Sequence, residues 1–235
     1  MEEEIMTGKN ESAPGDLDTL MRPYLPLVER YVANRLRMAI IDGILAPGKY
    51  RVEDIIDEVY IRLREEFDKG KIPPERIKLM MFMFADRQLE EIFAEEYVHG
   101  QDVSVEEIVA REMKSLEEKY VAEADGDLVL YEELDDISYR HDQEQKTIYL
   151  LEPGFESDLI AALDLEKSSA ETDSGRKILA GVYQRLPSLT NIIIDLHVTG
   201  GLNAFEIAEI RNMQVEDVDR IIRQVKVRFT TALNL

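Results

Sequence analysis

The residues whose types and spacing suit chemistry lie near the end of the chain. Arg220, Arg223, Lys226 and Arg228 follow Gln214 and Asp217 in a stretch whose apolar residues keep helical spacing. Cations at such intervals can contact successive phosphates, and amide or carboxylate side chains at the start of the same helix can hydrogen-bond base edges. The alternative for the cations is a solvated helix face. No comparable set suggests catalysis. His99, His141 and His197 lack the spacing of metal ligands. Residues 121–132 approach a calcium loop, with Asp125, Gly126 and Glu132 in register, but Val121 stands where the first oxygen ligand belongs. There is no Walker loop and no glycine-rich dinucleotide turn. Carboxylate pairs abound, as an acidic chain requires, and none is singled out as a general acid or base. The expectation is a binding protein, with no enzyme activity, no cofactor and no metal.

Two helical patterns present those cations. Phe205, Ile207, Ala208 and Ile210 place a short helix over 204–211, with Asn203 at its N-cap and Glu206 three residues on, the signature of a capping box. Val218, Ile221, Ile222, Val225 and Phe229 place a longer helix over 215–229. The three residues between, Asn212 to Gln214, complete a helix-turn-helix, which offers its second helix to the major groove. Any compact helix pair shares that spacing.

Composition sets limits on the rest. At 235 residues the chain has room for two small domains and a connector. It contains no cysteine, which suits a reducing cytosol, and no apolar run long enough to span a membrane, so a cytoplasmic protein without membrane contact is expected. The acidic start, residues 1–16, reads as a disordered tail rather than a targeting peptide. The net charge of −21 argues against nucleic acid as a partner, but residues 100–185 carry −13 of it, and residues 186–235 only −1.

Further helices are expected over 17–45, interrupted near Pro23 and Pro26, over 51–67, over 75–96 and over 104–122. The second of these carries one continuous stripe of Ile55, Ile56, Val59, Tyr60, Leu63 and Phe67. The Met80–Phe84 run is apolar almost all round and so belongs between other helices. Leu128–Tyr131 and Thr147–Leu151 read as two short strands, paired with one another. Residues 157–165 read as a short helix, 167–175 as a polar linker, and 176–186 and 190–198 as two more helices. The fold expected is mainly α, with two small helical domains over 17–99 and 176–235. The second is a four-helix helix-turn-helix domain, and an acidic α/β connector over 100–175 joins the two.

Two stretches carry a family resemblance. Val52-Glu53-Asp54-Ile55-Ile56-Asp57-Glu58-Val59-Tyr60-Ile61-Arg62-Leu63 resembles the second conserved region of bacterial RNA polymerase sigma factors, an acidic helix that docks on the polymerase core. Leu186-Pro187, Gly201-Leu202-Asn203, Glu206 through Ile210, and Val218 are similar to the fourth conserved region, which binds the upstream promoter element. The order of the two matches is closest to the small extracytoplasmic-function type. The resemblance implies core RNA polymerase as a partner through Asp54, Asp57, Glu58, Ile61 and Arg62. It implies promoter DNA as a partner through Gln214, Asp217, Arg220, Arg223 and Lys226, with Arg87 in the downstream-element helix, and an anti-sigma protein as a further partner. It also shows departures. Asp217 and Asp219 stand where the family has Thr and Lys, Asn212 replaces the turn glycine, Glu90, Glu95 and Glu96 surround Arg87, and the chain has no tryptophan. The function expected is a sigma-like initiation factor that directs core polymerase to promoters. The alternative is a degenerate sigma mimic that regulates through protein contacts without reading DNA. The acidic middle block is expected to be a solvated insert, or an anionic stand-in for nucleic acid that lies on the DNA-binding surfaces or occupies a basic channel of polymerase.

Overall fold

The computed structural model describes residues 16–96, 109, 113, 116, 120–122, 128–130 and 151–234. The expected tail therefore lies outside the described residues apart from Asp16, as does most of the connector. The described part is mainly α-helical.

Three long helices form the N-terminal part. After a one-turn helix, α1 (Leu17–Met21), comes α2 (Leu25–Ile41), whose Pro26 sits in the first turn where no amide bond is lost. Helix α3 (Val52–Asp68) buries Ile55, Val59 and Leu63, spaced four apart, and turns its acidic side outward. A 3₁₀ turn at Pro74–Arg76 leads into α4 (Ile77–Glu96). Helices α2, α3 and α4 pack on one another, and Met81, Phe82 and Phe84 of the Met-Phe run are buried, as the all-round apolar pattern requires.

The connector differs from expectation in two places. Val109, Met113 and Leu116 are helical, but Tyr120–Ala122, read as the end of that helix, is strand β1. It pairs antiparallel with β2 (Leu128–Leu130), in the register Tyr120 to Leu130, Val121 to Val129 and Ala122 to Leu128. Leu151, read as strand, is outside any element, and 147–150 lie outside the described residues. Pairing across the short Asp125-Gly126-Asp127 segment closes a smaller loop, at lower entropic cost, than pairing with residues near 147.

The expected polar linker is helical too. Helix α5 (Pro153–Ala162) is followed by the one-turn α6 (Lys167–Ala170) and by α7 (Asp173–Gln184). The Thr172 hydroxyl accepts from the Gly175 amide at 2.9 Å, capping α7. A Cβ at Gly175 would lie 2.1 Å from the Ser169 carbonyl oxygen, so only glycine lets α6 and α7 join this closely. Polar composition misled here because caps and junctions are themselves built from Ser, Thr and Asp.

Helices α8 (Ser188–Val198), α9 (Ala204–Arg211) and α10 (Val215–Leu233) complete the chain. The capping box on α9 is formed in both directions: the Glu206 amide donates to Asn203 at 3.0 Å and the Asn203 amide to Glu206 at 2.9 Å. Asn212 ends α9 at φ 52° and ψ 50°, the left-handed turn that an asparagine tolerates. Replacing Asn212 with alanine should cost about 1–2 kcal/mol, read by thermal unfolding, whereas glycine should be neutral or better. The buried apolar residues of the N- and C-terminal segments belong to one continuous cluster, so the two expected domains share a core.

Candidate nucleic-acid and partner interface

The five α3 residues singled out by the resemblance occupy one helical face. Asp54, Asp57, Glu58 and Ile61 follow at intervals of three, one and three, opposite the buried Ile55–Val59–Leu63 stripe. Asp54 and Asp57 are exposed, and Ile61 is 51% exposed, an unusual position for an isoleucine. Arg62 closes the face at its edge, with its Nε 2.9 Å from Glu58 Oε1 and its Nη2 3.0 Å from Glu91 Oε2 on α4. Those hydrogen bonds raise the Arg62 pKa, and Arg62 lowers that of Glu91. Arg62 thus pins α3 to α4 as well as facing solvent, which leaves it less available to a partner than the carboxylates beside it. Tyr60, one step round the helix, donates to Asp18 at 2.9 Å.

The α10 set also faces outward, but its cations are engaged within the chain. Gln214 is exposed ahead of the first turn. Arg220 pairs with Asp217 at 3.0 Å, Arg223 donates to the Asp219 carbonyl oxygen at 3.2 Å, and Lys226 pairs with Asp164 at 3.2 Å. The two aspartates that depart from the family pattern therefore engage neighbouring arginines, one by its side chain and one by its backbone. Arg228 is only 8% exposed and lies on the inner side of α10, so it does not belong to a phosphate-facing set. Its long stem packs at a position where periodicity alone cannot tell burial from exposure. Strand β1 runs beside α10 and β2 beside α7, while Gln214, Arg220 and Arg223 keep their exposure.

Arg87 stands apart. It is exposed on α4 and lines a cleft of about 530 Å³ with Arg62, Lys71, Arg76, Met83 and Phe84. Arg87 makes no salt bridge among the described residues. Helix α4 meets the helix-turn-helix through α9.

Sequence reasoning missed the polar groups that join the two segments. Asn34 of α2 donates to the Tyr183 hydroxyl at 2.6 Å and to Asp195 Oδ1 at 2.9 Å, and Tyr183 also donates to Asp195. Arg37 donates to Asn34 Oδ1 at 2.9 Å. Burial pushes the Asp195 carboxyl up to about 6, against the lowering effect of Tyr183, Arg35, Asn34 and Arg37. Arg211, the last residue of α9, pairs with Asp86 of α4 at 2.6 Å and also with Glu90, and Asp86 accepts from Tyr31 at 2.6 Å. Burial lowers the Arg211 pKa, but the two carboxylates more than reverse this and hold it raised. Asp86 and Asp195 each interrupt an otherwise apolar inward-facing run, and a charge in such a place was the one local signal available.

Among the described residues no three His, Asp or Glu side chains converge as a metal site, and no helix is long and apolar enough to cross a membrane. No family model, curated protein or solved structure matches the chain.

Proposed function

We propose that this chain is a sigma-like transcription initiation factor that acts by binding, with α3 docking on core RNA polymerase and the helix-turn-helix presented to promoter DNA. The observation that carries the reading is the α3 face. Asp54, Asp57 and Glu58 surround an exposed isoleucine on a helix anchored from behind, in a chain that ends in a capped helix-turn-helix. An acidic rim around one apolar contact suits a basic, partly apolar protein surface, where the charges speed encounter and the apolar residue holds the complex. Ile61→Asp should weaken binding to purified core polymerase by 10-fold or more while leaving thermal stability within about 0.5 kcal/mol, because the side chain is half exposed. Equal affinity of the variant and the native chain in a fluorescence binding assay would remove α3 as the docking face. Start-site-specific transcription from a promoter library with core polymerase tests the whole reading.

A second reading has its own support: the chain binds polymerase or an anti-sigma protein without reading promoters. The engagement of Arg220, Arg223 and Lys226 within the chain favours it. Phosphate contact would have to displace those partners, and the neighbouring carboxylates repel the backbone. Promoter-specific binding at low salt, lost in Arg220→Gln and Arg223→Gln, decides for the first reading. Its absence there, with polymerase binding intact, decides for the second.

A further inference from the structure

The cleft beside Arg87 has the composition of a site for a small amphiphilic anion. Its volume of about 530 Å³ lies in the range of small-molecule sites, roughly 300–1,000 Å³. Met80, Met83, Phe84 and Ile72 form the apolar part of its lining. Phe84 and Ile72 belong to the buried core, whereas Met80 and Met83 are half-buried, so the two thioether side chains give the cleft an apolar wall open to solvent. Methionine suits such a wall because its unbranched side chain adapts to the shape laid against it. Met80, Met83 and Arg87 follow at intervals of three and four, which puts them in one stripe along α4, about 10 Å from first to last.

The charges around the cleft differ in availability. Arg62 is held by Glu58 and Glu91, Lys71 lies 2.8 Å from Glu66, and Arg76 pairs with Glu209. Those three cations are already neutralised. Arg87 is exposed and makes no salt bridge among the described residues, and Glu91, one turn further along α4, is taken by Arg62. Glu65, Glu66 and Glu209 also line the cleft, and they repel a ligand that carries several negative charges. We propose that the cleft binds a linear amphiphile with a single carboxylate, its apolar chain laid along Met83 and Met80 and its head group paired with Arg87. A guanidinium offers a carboxylate two parallel hydrogen bonds, and the methionine stripe takes the chain out of water. The lining draws on α3, α4 and Glu209 of α9, so an occupied cleft adds its binding free energy to the packing of the N-terminal helices on the helix-turn-helix. The site does not depend on polymerase docking or promoter reading, and neither is needed to detect it.

The test uses the full chain, labelled with carbon-13 at its methionine methyl groups, and decanoate added below the concentration at which it forms micelles. Met80→Leu and Met83→Leu assign the two signals of interest. Saturable shifts of Met80 and Met83, with the fully buried Met81 unmoved, are the expected result. Arg87→Gln should weaken binding by about 10-fold or more, the share of a hydrogen bond to a charged group. Decanol, with the same chain and no charge, should bind the native chain more weakly than decanoate by a similar factor, and should bind Arg87→Gln as well as it binds the native chain. Octanoate, two methylenes shorter, should bind up to about 15-fold more weakly than decanoate, at roughly 4-fold for each methylene fully buried. The absence of saturable shifts at Met80 and Met83, or shifts of equal size at methionines outside the cleft, overturns the proposal. So does an Arg87→Gln variant that binds decanoate as tightly as the native chain, or equal affinity for octanoate and decanoate.

Discussion

Replacing Arg211 with alanine is expected to lower the unfolding free energy by about 3–5 kcal/mol, the usual cost of leaving a buried charge without its partner. Asp86 is 2% exposed, so its carboxylate cannot recover the interaction from water, and only the Tyr31 hydroxyl would remain to it. Glu90 is exposed and would lose little. Urea unfolding of Arg211→Ala, Asp86→Asn and the double variant closes the cycle. The double variant should be more stable than Arg211→Ala alone, because an asparagine at 86 still accepts from Tyr31 without a stranded charge. A loss below about 1 kcal/mol for Arg211→Ala would place it with solvated surface pairs.

Asp195 should produce an effect of similar size with the opposite sign. Its carboxyl is held up at about 6, and an aspartate in the unfolded chain titrates near 3.9. The folded state therefore binds the proton more tightly, and Asp195 contributes its full share of stability only below about pH 4. That share falls away as pH rises through about 6, and above pH 7 the buried carboxylate costs roughly 3 kcal/mol relative to its acid form. Asp195→Asn keeps an oxygen to accept from Asn34 and Tyr183 and removes the charge. Its stability relative to the native chain should rise between pH 4 and pH 7 by up to about 3 kcal/mol, then stay level. Glu66, Glu91 and Glu96 have lowered pKa values from ion pairs and hydrogen bonds and pull the other way, losing their contribution as pH falls. The difference between variant and native unfolding curves at pH 4.5, 6 and 7.5 cancels their common contribution. A flat difference would mean that the site is wetter than its burial implies.

Helix α9 was legible to the residue because everything that starts and stops it is local: Asn203 and Glu206 at one end, Asn212 at the other. Helix α3 was legible because three buried residues four apart leave only one way to turn an acidic helix. The start of α7 was not, since Thr172 and Gly175 read equally as cap or linker until the carbonyl of Ser169 is in place. The polar contacts that join the N- and C-terminal segments were hidden for a different reason. Arg211 and Asp86 lie 125 residues apart, and Asn34 and Asp195 lie 161 apart. Periodicity records which way a side chain points, and it carries no information about which distant group it will meet. The same limit applies to the α10 cations: their outward direction was readable, but the pairing of Lys226 with Asp164 was not.

The pairing of Arg211 with Asp86 has an evolutionary consequence. A buried guanidinium shared by two carboxylates on another helix leaves position 211 almost no independent freedom. A neutral residue there strands Asp86, and a neutral residue at 86 leaves the guanidinium only the exposed Glu90. The tolerable route is for the two positions to change together. Any lineage that retains this packing should show positions 86 and 211 drifting as a pair, while Asp158 and Glu209, whose pairs with Arg30 and Arg76 are open to solvent, vary one at a time.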